Sequence, residues 1–215
     1  MNKMKIKGFY RRIFPHFQLD NKYYFVTSRL INSIPEFLIK ELKLKFKQDE
    51  SILINSFSGE IYKEKRYLLL KKYFGYYDDY LNRSLSQVNY LSDERIASVI
   101  MDSFRFLNGK AFDMISFCIM PNHFHFLAKI EKLSKPFFRI MQSLKRHTSR
   151  QSNIILNRTG AFWEEESYDH IVRDDTELLK IMNYILQDPV RAGLVKNAMD
   201  WKWSYCKYFK PLKGF

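Results

Sequence analysis

Residues 112–130 read FDMISFCIM-PN-HFHFLAKI: two apolar runs separated by Pro121-Asn122. Each run is rich in β-branched and aromatic residues and too short for a core helix, so each reads as a strand. Pro-Asn is a turn-forming pair, and the two strands, Phe112–Met120 and His123–Ile130, form an antiparallel hairpin. The sequence around this hairpin decides the fold.

Upstream, YYFVTSRL (Tyr23–Leu30) reads as a third strand, followed by a lysine-rich helical segment over Pro35–Gln48. Residues 49–92 hold a helical stretch around Tyr62–Phe74 and an aromatic, polar segment, and read as an insertion. Ser92 is placed to cap a helix over Asp93–Leu107. Downstream of the hairpin, Ser134 caps a helix to about Gln151, with Pro136 in its first turn. Tyr168–Arg173 (YDHIVR) reads as a short strand. Asp174 with Glu177 forms a capping-box-like start to a helix that Pro189 is expected to end near Gln187. The order is strand, helix, strand, strand, helix, strand, helix. That is the split βαβ plan of an α+β, ferredoxin-like antiparallel sheet with helices on one face. A single domain of residues 1–215 is expected, with a basic N-terminal arm (1–21), the insertion (49–92) and a C-terminal tail (196–215).

Composition narrows the function. Hydrophobic residues make up 46% and charged residues 27%, which is globular. Lys and Arg number 36 against 23 Asp and Glu, a net charge of +13, with pI ≈ 9.6. Such an excess concentrates polyanions, which favours nucleic acid or an anionic membrane surface. Aromatic residues reach 17%, and exposed rings beside cations suit single strands. The two cysteines, Cys118 and Cys206, have no metal-ligand spacing and indicate a reducing compartment. The basic start lacks an apolar signal region, and no apolar run is long enough to span a membrane. The expected location is the cytoplasm.

His123 and His125 are two apart on a strand, so both imidazoles point to one face and form a divalent-metal half-site. A His-x-His pair alone is weak evidence, because such pairs on strands are usually incidental. Four ordered motifs raise its weight. MPNHFHFL (120–127) resembles the MPNHxHxL motif of the REP-associated tyrosine transposases, a single-tyrosine branch of the HUH endonucleases. YILQDPVRAGLV (184–195) resembles that family's YIxxNPVxAGLV motif. FW at 162–163 with YDHIVR at 168–173 resembles its W…YDHxIR segment, and DWKWSY (200–205) its DWxWSSY tail.

The resemblance implies a metal-dependent transposase that nicks and rejoins single-stranded DNA bearing REP-like hairpins through a covalent 5′-phosphotyrosine. It makes Tyr184 the nucleophile and puts Mg²⁺ or Mn²⁺ on His123 and His125. Asp188 stands where the family has Asn, at a position that completes the metal site in related transposases. A carboxylate is a good hard ligand; turn chemistry before Pro189 is the alternative. On the helix from Asp174, Leu178, Ile181, Met182 and Ile185 form an apolar stripe, while Tyr184 and Asp188 fall on a more polar face. Between Lys132 and Trp163 there is no acidic residue, and Arg139, Lys145, Arg146 and Arg150 are read as DNA contacts. His170 and Arg173 join that set; His170 is also a metal or structural candidate. Trp201 and Trp203 read as packing residues. A chain segment beyond the tyrosine helix favours a monomer over a homodimer, and binding to DNA would place the protein at the nucleoid. Two other readings share these residues: a domesticated, non-cleaving hairpin-binding protein, and an HUH replication or conjugation initiator.

Overall fold

The structure, a computed structural model, describes residues 8–11, 15–18, 21–83, 88–131, 135–210 and 215. The chain divides into two compact units, residues 1–31 with 89–215, and residues 32–88.

The larger unit is built on a five-stranded antiparallel sheet. Its strands are β3 (Lys22–Arg29), β4 (Asp113–Ile119), β5 (His123–Ile130), β6 (Tyr168–Ile171) and β7 (Ser204–Cys206), in the order β6-β3-β5-β4-β7. β3 and β4 both flank β5 antiparallel, so they run parallel to each other. The chain between them must therefore cross over, and within the larger unit the returning segment is α3 (Glu94–Leu107). This is the split βαβ arrangement, and the expected ferredoxin-like sheet is present. The hairpin turn is the Pro121-Asn122 pair, closed by Met120 N–H donating to the His123 carbonyl at 2.8 Å. Two further strands, β1 (Gly8–Arg11) and β2 (Pro15–Gln18), pair antiparallel within the segment expected to be an irregular arm. The C-terminal tail supplies β7, which pairs with β4. The Trp201 indole fastens it there by donating to the Ile119 carbonyl at 3.0 Å.

The helices are shared between the two faces rather than gathered on one. Phe124 and Phe126 of β5 point to the face covered by α3, where Phe104 meets both rings at 5.3 and 5.5 Å and Phe117 at 5.2 Å. α4 (Phe137–Ile155) packs beside α3 through a buried stripe that includes Ile140, Leu144 and Thr148. Strand residues alternate, so His123 and His125 point the other way. There α5 (Asp175–Arg191) crosses β4 and β5. With helices on both sides, β4 and β5 are buried almost throughout, which is why both read as continuous apolar runs.

Local signals correct several expected boundaries. Asp93, not Ser92, caps α3: its carboxylate accepts from Arg95 N–H at 2.9 Å. Ser134 lies outside the described residues, and α4 opens after Pro136. Asp174 caps α5 by accepting from Glu177 N–H at 2.8 Å, as expected. Pro189 does not end that helix. Its ring removes one N–H, but α5 continues to Arg191 and is closed by Gly193 at φ +71. Gly193 N–H donates to Val190 and Leu194 N–H to Pro189, the paired bonds of a Schellman cap.

The smaller unit starts earlier than the insertion read from the sequence and takes in the lysine-rich helix. α1 (Glu36–Ser56) and α2 (Gly59–Arg83) form a helical hairpin around Leu42, Leu69 and Tyr73, with Leu38, Phe46, Leu53 and Tyr77 packed against them. Among the described residues no helix is long and apolar enough to cross a membrane. Cys118 and Cys206 are both buried.

The Phe104 ring has no exposed surface and sits at the centre of three aromatic neighbours. Phe104→Ala should therefore cost about 3–5 kcal/mol, read as a lower urea midpoint with an unchanged slope. A loss under about 1 kcal/mol would show that α3 does not anchor this face.

Candidate active site

β5 sets the first half of the site. His123 and His125 share one strand face, are fully buried, and hold their rings 4.6 Å apart at 73°. Their Nε2 atoms face each other at 3.1 Å. The outer nitrogens are fixed by neighbours. Asn122 Oδ1 lies 2.6 Å from His123 Nδ1, and because an amide oxygen only accepts, Nδ1 carries the proton. Thr27 Oγ1 lies 2.6 Å from His125 Nδ1. Thr27 is the cross-strand partner of His125 on β3, so the sheet register itself brings the hydroxyl there. Held at Nδ1 in this way, His123 directs Nε2 into the site, the nitrogen that a metal ion would take as its ligand.

α5 supplies the second half. Because the helix runs through Pro189, Asp188 lies one turn beyond Tyr184 on the same face. The buried Asp188 Oδ2 is 3.2 Å from His123 Nε2 and 3.3 Å from His125 Nε2. Burial alone pushes this carboxyl up. The His123 hydrogen bond and the charge and hydrogen bond of His125 outweigh it and hold the group well below the usual carboxylate range. Asp188 Oδ1 accepts from the Arg191 guanidinium. The Tyr184 ring is half-buried, edge-on to His125 at 5.6 Å and to Phe25 at 6.0 Å. The face read as polar is thus turned toward the sheet, and Glu177 and Asp188 on it are buried.

Two nitrogens and one carboxylate oxygen form a donor set suited to a divalent cation. Bonds of about 2.1 Å put neighbouring donors about 3.0 Å apart in an octahedron and about 3.4 Å apart in a tetrahedron. The observed separations of 3.1, 3.2 and 3.3 Å lie between these values, so the three residues fit one common ion.

The remaining expected residues lie elsewhere. His170 Nε2 is 3.2 Å from the buried Glu177 carboxylate, so it ties β6 to α5. Glu177 also accepts from Arg173 N–H at 2.9 Å, and the Arg173 residue is exposed. Arg139, Arg146 and Arg150 are exposed on α4; Lys145 is half-buried and donates to the Glu164 and Glu165 carbonyls. Lys132 lies outside the described residues. Lys145 and Arg146 line a cleft of ≈ 340 Å³ with Phe137, Phe162 and Trp163. Val26 lines it too; it pairs with Phe126, so the cleft lies on the sheet face opposite the histidines. Sequence reading missed Thr27, Asn122 and Arg191 as parts of the site. Asn122 sat inside a quoted motif and was read only as a turn residue. Thr27 carries no signal until the register of β3 against β5 is known.

Known proteins resemble this chain in sequence and in fold. Residues 86–188 match the family model described as Transposase IS200 like. A Haemophilus influenzae protein assigned to the REP-associated tyrosine transposases is 28% identical over 102 residues, which span 43% of this chain and 58% of that protein. A solved structure of a REP-associated tyrosine transposase bound to a REP hairpin superposes with a TM-score of 0.50 at 16% identity, covering 91% of this chain and 80% of the other. The resemblance to the REP-associated tyrosine transposases holds. The sequence match to the Haemophilus transposase takes in less than two thirds of its length, and the structural likeness establishes the shared fold.

If Asn122 and Thr27 orient the imidazoles, removing either weakens metal binding without removing a donor. Calorimetric titration with Mn²⁺ should show no binding by His123→Ala at this site. Asn122→Ala and Thr27→Val should bind about 10–100-fold more weakly than the parent. Parental affinity in both orienting variants would exclude that role.

Proposed function

We propose that the protein is a DNA-processing enzyme of the single-tyrosine type, which nicks and rejoins single-stranded DNA bearing a hairpin. The observation that carries this reading is the meeting of Tyr184 and Asp188, one turn apart on α5, with the paired imidazoles of β5. A non-cleaving hairpin binder would need neither the buried donor set nor a tyrosine beside it.

In this reading His123, His125 and Asp188 hold Mg²⁺ or Mn²⁺. The ion, when bound, supplies Lewis-acid stabilisation to the scissile phosphate. The Tyr184 oxygen attacks phosphorus. An O–P bond forms to tyrosine, the bond from phosphorus to the 3′ oxygen breaks, and that oxygen leaves with the electron pair and gains a proton. The phenol's own proton is lost to solvent or a base. The 5′-phosphotyrosine conserves the energy of the diester, so a 3′-hydroxyl can later displace the tyrosine without ATP. A water nucleophile would discard that energy.

The exposed cations of α4, Arg139, Arg146 and Arg150, with Arg173, are proposed to neutralise backbone phosphates, which makes binding strongly salt-dependent. Lys145 and His170 are proposed as DNA contacts of lesser reach, because both already engage protein groups. β7 completes the sheet from within the same chain, which supports action as a monomer. A chromosomal DNA substrate would place the enzyme in the cytoplasm, at the nucleoid when bound.

Purified protein with Mn²⁺ should form an SDS-resistant adduct with the 5′ side of a labelled hairpin oligonucleotide. EDTA should block it, and Tyr184→Phe should abolish it while leaving DNA binding within about threefold. An adduct formed by Tyr184→Phe would remove the assigned nucleophile. Tight hairpin binding that ignores EDTA, with no cleavage of any single strand, would favour the non-cleaving binder.

A further inference from the structure

Arg191 touches both halves of the candidate site. Its Nη2 donates to Asp188 Oδ1, and its Nη1 lies 3.3 Å from the Tyr184 carbonyl oxygen. The guanidinium carbon stands 4.0 Å from the centre of the Tyr184 ring. Residues 184, 188 and 191 are spaced four and three apart, so α5 presents all three on one face. The Schellman cap at Gly193 holds this last turn in register despite Pro189.

The Asp188 carboxylate is divided in its duties: Oδ2 faces the two imidazoles and Oδ1 faces Arg191. Rotating the carboxylate would break both sets of contacts at once. An ordinary surface pair three residues apart on a helix contributes little. Here the acid is fully buried while the Arg191 side chain is 37% exposed, so the pair is not of that kind. The planar guanidinium can pair edge-on with a carboxylate and lie over a ring at the same time, which an ammonium cannot.

We infer that Arg191 is a positioning residue that couples the nucleophile to the metal-holding carboxylate, fixing the Tyr184 ring and the Asp188 rotamer as one unit. This rests on the nuclease reading for its effect on rate, but its effect on the donor set stands apart from DNA. With Oδ1 held by Arg191, Asp188 offers a single oxygen beside the imidazoles. Without Arg191, both the carboxylate and the ring lose their common support.

The test is a Mn²⁺ titration of full-length protein followed by electron paramagnetic resonance in the absence of DNA, paired with single-turnover adduct formation on a hairpin oligonucleotide. R191A should bind Mn²⁺ about tenfold or more weakly and form adduct more slowly. R191K should keep Mn²⁺ affinity within about threefold, since an ammonium still pairs with Asp188, yet remain slow because it cannot lie flat on the ring. R191K also carries the test if R191A does not fold. Parental Mn²⁺ affinity in R191A overturns the inference whatever the rate does, as does parental behaviour of R191K in both measurements. If the parent protein forms no adduct with any DNA, the nuclease reading fails, and the Mn²⁺ titration still decides the role of Arg191.

Discussion

A carboxylate with no solvent exposure, Asp188, lies between two fully buried imidazoles and a guanidinium. Burying a single carboxylate costs several kcal/mol unless positive or donor groups surround it. That cost dictates where α5 must lie. The helix has to cross the sheet over β5 at the height of His123 and His125, and the rest of the architecture accommodates that crossing. One face of the sheet is a conventional aromatic core under α3 and α4, centred on Phe104. The other face, under α5, buries Phe25, Leu127, Met182 and Ile185 and carries the polar cluster among them.

The division explains features of the chain that packing alone does not. β5 alternates phenylalanine with histidine at its start, one residue type for each face. The turn before it contributes Asn122 and the neighbouring strand contributes Thr27, each aimed at an outer imidazole nitrogen. Pro189 sits inside α5, and beyond it the Schellman bonds of Gly193 and Leu194 satisfy the Val190 and Pro189 carbonyls. If the helix ended before Pro189, Asp188 would leave the face it shares with Tyr184, and Arg191 would not reach either.

Much of the fold was legible in the sequence because strand and helix periods are strong signals. The hairpin at Pro121-Asn122, strand β3 and the Asp174 cap lie close to where composition and spacing put them. The pairing of His123 and His125 followed from the two-residue strand period, and Tyr184 and Asp188 from the helical one. Periodicity identifies a face but not what covers it, so α5 was expected beside the other helices and lies on the opposite side. A proline rule is an average, and it failed at Pro189, where a strong glycine cap follows. Thr27 belongs to the site only through its cross-strand register, a relation that no local pattern encodes. The unit that holds α1 and α2 was read as starting later because α1 carries the same lysine-rich, weakly amphipathic pattern as an ordinary surface helix.

A crystal grown with Mn²⁺ and measured at a wavelength that excites manganese tests the site most directly. One anomalous peak in contact with His123 Nε2, His125 Nε2 and Asp188 Oδ2, beside the Tyr184 ring, is the predicted result. Manganese found only on exposed carboxylates, with the two imidazoles still bonded to each other, would contradict it.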